Sequence, residues 1–132
     1  DGLGIYDYYT ESSDRDHRCI GNIVVEASIH DKNVTVVGFE NHGGQTKAVF
    51  NPFGKVLVGH GNTFDSGFEG YMDAQTIATY MHGPLLPKNP DIADEVLLRG
   101  LNRRYEVHHL EPLQDFLEHA AHDAMLKRLN VK

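Results

Sequence analysis

The sequence predicts one α/β or α+β domain with a mixed sheet, and three observations carry that reading. Runs rich in β-branched residues fill the first three-fifths of the 132-residue chain, two helical apolar stripes fill the last third, and no internal repeat divides it. The length suits a single domain with a real core. An apolar content of 40% beside 23% charged residues is that of an ordinary soluble globular chain.

"IGNIVVEASI" (20–29) is β-branched and bounded by Gly and by the turn "HDKN". "VTVVGFE" (34–40) follows at hairpin distance, so the two should pair antiparallel. "KVLVG" (55–59) and "TIATYM" (76–81) have the length of buried strands. Between them "ENHGGQT", "NPFG" and "GHGNTFDSGFEG" hold many of the thirteen glycines, as turns require. In "KNPDIADEVLLRGLNRRY", Asn89 suits an N-cap and Pro90 the first helical position. Asp91 and Asp94 lie near the positive end of the helix dipole, Arg103 and Arg104 near the negative end. Ile92, Val96, Leu97 and Leu101 form the apolar stripe. A second helix, "EPLQDFLEHAAHDAMLKRL", places Pro112 early and Leu113, Phe116, Leu117, Ala120 and Ala124 at helical spacing.

A net charge of −7 with scattered basic residues argues against a nucleic-acid partner, because phosphate binding needs a clustered positive surface. One cysteine rules out an internal disulfide and a cysteine-based zinc cage. No signal peptide and no membrane-length apolar run is present, so a cytoplasmic location is the default expectation. The opening "DGLGIYDYYTE" has no initiator Met and reads as the middle of a longer protein.

Four places invite chemistry. His119 and His122, three apart on a helix, match a metal pair in spacing, but a site needs a third ligand, and a solvated helix face is the expected reading. Cys19 opens a β-rich run, where a small buried thiol is the common case, and strand alternation puts Arg18 on the opposite face. "ENHGGQT" reads as a glycine turn, or as a loop whose backbone and Asn41 amide contact a small polar ligand. His82 precedes Gly83-Pro84: it either hydrogen-bonds in that turn or serves as a general base at a strand end. The residues alone leave both readings of His82 open.

Three stretches taken together, "VGFENHGGQT", "GFEGY" and "TYMHGPLLPKNPDIADEVL", resemble the GatD-type glutamine amidotransferase subunits of lipid II isoglutaminyl synthase, relatives of the amidotransferase domain of cobyric acid synthase. The resemblance covers about residues 1–105. It implies a class I glutamine amidotransferase-like mixed sheet flanked by helices. Residues 1–132 would be the C-terminal part of one such domain, with 105–132 an extra C-terminal helix. In that family a Cys on a strand-to-helix elbow attacks the glutamine amide and a His serves as its base; His82 matches that histidine. Arg18, Asn41, His42 and Gly43 match positions that hold the substrate's α-carboxylate and amine.

The chain departs from the family pattern in three ways. Pro84 stands where class I glutaminases often carry the triad Glu, so the acid is expected from a partner. Gln45 replaces a usual Arg. The elbow cysteine is expected upstream of "DGLGI", so the N-terminal half of the domain is missing and the chain alone should be inactive, with a sheet edge that needs that half or a second copy.

The implied function is a glutaminase that passes ammonia to a Mur-ligase-like synthetase amidating lipid II. The alternatives are a cobyric acid-type amidotransferase and a non-catalytic interaction module. No metal or other cofactor is expected in this chain; ATP and Mg belong to the synthetase.

Overall fold

The computed structural model describes residues 2–14 and 16–132. Its elements are β1 (Tyr9–Ser12), β2 (Cys19–Ile29), β3 (Lys32–His42), β4 (Gly44–Lys47), β5 (Gly54–Val58), β6 (Phe68–Glu69), β7 (Tyr71–Met72), β8 (Ile77–Ala78), α1 (Leu85–Lys88), α2 (Pro90–Tyr105) and α3 (Phe116–Arg128).

The expected hairpin is the centre of the fold. β2 and β3 pair in antiparallel register from Cys19 opposite His42 to Ile29 opposite Lys32. His30 and Asp31 turn the chain with φ of 48° and 61°, the left-handed pair that matches the twist of a two-residue hairpin loop. The main sheet runs β3-β2-β5-β6, with β1-β4 and β7-β8 as separate two-stranded ribbons. The α/β class holds, and every strand pairing among the described residues is antiparallel. Ile23, Val25, Ala27 and Val36 pack with Phe53, Met81 and Ile92 to form the core.

The outer edge of β3 is closed by two unlike groups. The backbone of His82 exchanges hydrogen bonds with Phe39, N–H to O at 2.7 Å and O from N–H at 3.1 Å. Two residues earlier on the same edge, the Asn89 amide does the work of a strand: Oδ1 accepts from Val37 N at 2.7 Å and Nδ2 donates to Val37 O at 2.9 Å. Nδ2 also donates to Leu85 O at 2.6 Å. Asn89 occupies the N-cap position of α2, as expected, but its side chain makes no cap bond, because the open edge of β3 claims it. Gly38 lets the bridging segment approach; a Cβ there would stand 2.7 Å from the His82 carbonyl oxygen.

The expected strand over 76–81 shrinks to Ile77–Ala78. Thr79 Oγ1 and Tyr80 N turn instead to Glu69 Oε1, each at 2.6 Å, which pulls the chain out of a ladder. Both helical stripes are also corrected. On α2, Ile92 is buried but Val96 and Leu97 are exposed. The inward face carries Glu95, held by Arg99 and by His30 Nε2 at 2.7 Å. The last helix starts at Phe116, so Pro112 lies outside it, and Leu113, Phe116, Leu117, Ala120 and Ala124 face outward. His122, expected on a solvated face, is half-buried and docks the helix, with Nε2 2.9 Å from Thr35 Oγ1 and Nδ1 2.9 Å from Lys88 O. Among the described residues, no helix is long and apolar enough to cross a membrane.

Replacing Asn89 with Ala would strip partners from the Val37 N–H and C=O and from Leu85 O. Each buried backbone group left alone costs roughly 1–3 kcal/mol. Urea unfolding of Asn89→Ala should therefore show a loss of about 3 kcal/mol; a loss below about 1 kcal/mol would mean that water replaces the amide at this edge.

Candidate functional site

β3 presents two faces, and the candidate residues divide between them. Phe39 and Asn41 point to the exposed face, Glu40 and His42 to the buried one. His82 lies on the exposed side. Its backbone is fixed to Phe39, and its imidazole stacks on the Phe39 ring with centroids 5.2 Å apart and planes 26° apart. Asn41 is the next residue on that face, about 7 Å further along the strand. Arg18 Nη2 donates to Asn41 Oδ1 at 3.0 Å. Gly43 leaves room for that guanidinium, since a Cβ there would stand 3.1 Å from Arg18 Nη1. The structure thus brings His82, Asn41, Gly43 and Arg18 into one exposed strip, with Phe39 as its floor.

Among the described residues, no carboxylate lies within ion-pair reach of the His82 imidazole. Pro84 is exposed and offers no acid at the position where one was sought. An imidazole with open ring nitrogens has the chemistry of a general base.

His42 does not join the strip. Its ring is buried, stacked on Tyr80 at 3.8 Å with planes 5° apart, and its Nδ1 lies 2.8 Å from Gly44 O. Cys19 faces the same side, directly across from His42. The thiol is fully buried; burial pushes its pKa up, the Gln45 amide opposes that, and the Glu40 charge adds to it. With the sheet between them, Cys19 cannot serve as the nucleophile for His82.

Two buried glutamates shape this inner face. Glu40 accepts from His60 N at 2.7 Å and from Gly61 N at 3.0 Å, pinning that loop to β3. Gly59 in the loop has φ of 105°, and a Cβ would stand 2.8 Å from Glu40 Oε1. Burial pushes the Glu40 carboxyl up, but the two amides that donate to it pull the other way, and its pKa lies below its ordinary 4.5. Glu69 goes the other way: burial dominates, its Oε2 has no hydrogen-bond partner, and its pKa is raised. A separate cleft of about 190 Å³, between Tyr8, Tyr71, Tyr80 and Asn62, is lined by none of the five candidate residues.

Phe39, Glu40 and Glu69 were not read from the sequence as parts of the site. Strand alternation within "VGFENHGG" separates Phe39 and Asn41 from Glu40 and His42, so the two faces were open to that reasoning. The partners of Glu69 lie ten and eleven residues away and carry no local signal.

The model of the CobB/CobQ-like glutamine amidotransferase domain matches residues 1–90. The lipid II isoglutaminyl synthase (glutamine-hydrolyzing) subunit GatD of Staphylococcus aureus (strain N315) is 44% identical over 104 residues, covering 79% of this chain and 41% of that protein. The GatD subunit of Streptococcus pneumoniae (strain R6) is 33% identical over 107 residues, covering 80% of this chain and 40% of that protein. A probable cobyric acid synthase of Methanococcus maripaludis (strain C6) is 32% identical over 87 residues, covering 64% of this chain and 17% of that protein. The chain spans about two-fifths of the length of the two GatD subunits.

Glu69 sets a pH dependence. A carboxyl whose folded pKa is raised contributes stability that is fully present below the unfolded value and is lost as pH rises through the folded one. Glu69→Gln removes that titration but keeps an acceptor for Thr79 and Tyr80. Its stability relative to wild type should rise as pH increases from about 4.5 toward neutral. Parallel curves of unfolding free energy against pH for the two proteins would show that Glu69 does not titrate in this way.

Proposed function

This chain belongs to the CobB/CobQ-like glutamine amidotransferase domain family, and from that premise we propose that it is the base-bearing part of a glutaminase supplying ammonia for lipid II amidation. The observation that carries the reading is the exposed strip of His82, Asn41 and Arg18 along one face of β3. Glutamine lies along that strip. The Arg18 fork takes its α-carboxylate, and Asn41 and the Gly43 backbone take its amine. The thiol that attacks the side-chain amide comes from outside residues 1–132, because Cys19 faces the other side of the sheet. His82 takes the thiol proton, then passes it to the departing ammonia; water hydrolyses the thioester. The acid that orients His82 is contributed by a partner, since position 84 is proline.

That partner is a Mur-ligase-like synthetase of the cytoplasm, which binds ATP and Mg and consumes the ammonia. Lipid II is preferred over a corrinoid acid as the acceptor because identity to the GatD subunits is higher and extends over more of this chain.

Glutamate release from glutamine tests the reading. The chain alone should be silent, and mixing it with the Cys-bearing N-terminal part of a GatD subunit should give activity. His82→Ala should lower that activity on the order of 10²–10⁴-fold, the usual share of a general base. Turnover by the isolated chain would return Cys19 to consideration, and a mixture that stays silent would favour a non-catalytic binding module.

A further inference from the structure

The inner face of β3 holds a cluster that the proposed glutaminase chemistry does not use. We propose that Cys19, Glu40 and His42 form a site for one zinc-class divalent cation, which joins the two strands at the open end of the β2-β3 hairpin, beside the loop at 59–61 that Glu40 holds. The inference is independent of the role of His82 on the opposite face.

The geometry comes first. Cys19 and His42 are cross-strand partners, Glu40 is two residues away on the same face, and all three side chains are buried. One ligand atom from each, the Cys19 sulfur, a Glu40 oxygen and a His42 nitrogen, can be chosen so that all lie within 4.8 Å of one another. His42 Nδ1 faces a carbonyl oxygen, Gly44 O, at 2.8 Å and must therefore donate. In the neutral ring that leaves the lone pair on Nε2. Nε2 is buried and has no hydrogen-bond partner, which is uncommon for a buried polar atom and asks for an explanation. Glu40 Oε2 is 3.7 Å away. That is too long for a hydrogen bond. Two ligands bonded at about 2.0 Å to a tetrahedral zinc stand roughly 3.3 Å apart, so a small closure brings these atoms to ligand spacing.

Each ligand is also held from behind, as metal ligands usually are. Gly44 O orients His42, whose ring is further fixed by Tyr80. The amides of His60 and Gly61 hold Glu40. Gln45 Nε2 donates to Cys19 Sγ at 3.7 Å. Electrostatics agrees: Glu40 is fully buried, and among the described residues no Lys or Arg pairs with it. A divalent ion would neutralise that carboxylate and a Cys19 thiolate together. Binding releases the Cys19 proton, so affinity should fall as pH drops. The mixed S, N and O donors favour zinc over magnesium or calcium, and three protein ligands leave a fourth position to water.

Cobalt(II) titration of the untagged chain tests the site, because tetrahedral thiolate-bound cobalt has a near-ultraviolet charge-transfer band. The chain has one cysteine, so any such band reports Cys19. The expected result is a band that saturates at one equivalent and is displaced by zinc. It should be absent in Cys19→Ser, strongly weakened in His42→Gln and unchanged in His122→Gln. Circular dichroism would check that each variant folds; should Cys19→Ser or His42→Gln unfold, the wild-type titration decides alone. No charge-transfer band in the wild type, or an undiminished one in folded His42→Gln, would overturn the proposal.

Discussion

The outer edge of β3 is the constraint around which the remainder of the chain is arranged. A buried strand edge needs its N–H and C=O groups paired. Here Val37 is paired by a side-chain amide and Phe39 by a main chain. Those two attachments, four hydrogen bonds in all, pin residues 82 and 89, which are seven positions apart in the chain, and the Gly83-Pro84 turn and α1 fill the span between them. The start of α2 follows from the Asn89 anchor, and the placement of the His82 ring follows from the Phe39 bridge. Gly38 makes the Phe39 bridge possible, since a Cβ there would stand 2.7 Å from the His82 carbonyl oxygen.

The same strand separates two kinds of chemistry. The solvent side offers an open imidazole, a guanidinium and an amide along one line; the inner side buries a thiol, a second imidazole and two carboxylates. A single-residue change of register would exchange the two sets. The eleven-residue pairing with β2 prevents that, so the hairpin register sets the site as much as any side chain does.

The hairpin was legible because β-branched runs and a turn signal are local. α2 was legible in extent, from Pro90 to its terminal arginines, since cap and dipole preferences are local too. The facing of the helices was not. Apolar spacing placed Ile92 in the core, where it lies, but also pointed to Val96, Leu97 and the stripe from Leu113 to Ala124, which are exposed; Glu95 and His122, polar residues with specific partners on the hairpin turn, β3 and α1, dock there instead. Hydrophobic periodicity cannot register a hydrogen bond to a residue 87 positions away. In the candidate site, grouping Asn41, His42 and Gly43 as one loop missed that His42 faces inward, although strand alternation carried that information. At His82 the backbone makes a strand bridge and the ring is left to solvent and Phe39, a placement that no local sequence signal carried.

The way residue 82 is held has a consequence for which substitutions the position can accept. The fold grips it through its N–H and C=O, and the side chain projects outward, so most amino acids can occupy the place without disturbing β3. Proline is the exception, because it lacks the N–H that reaches Phe39 O. Position 82 is therefore permissive in its architecture and restrictive only in its proposed chemistry, and a family drifting away from catalysis would show that drift at this residue before its strands changed.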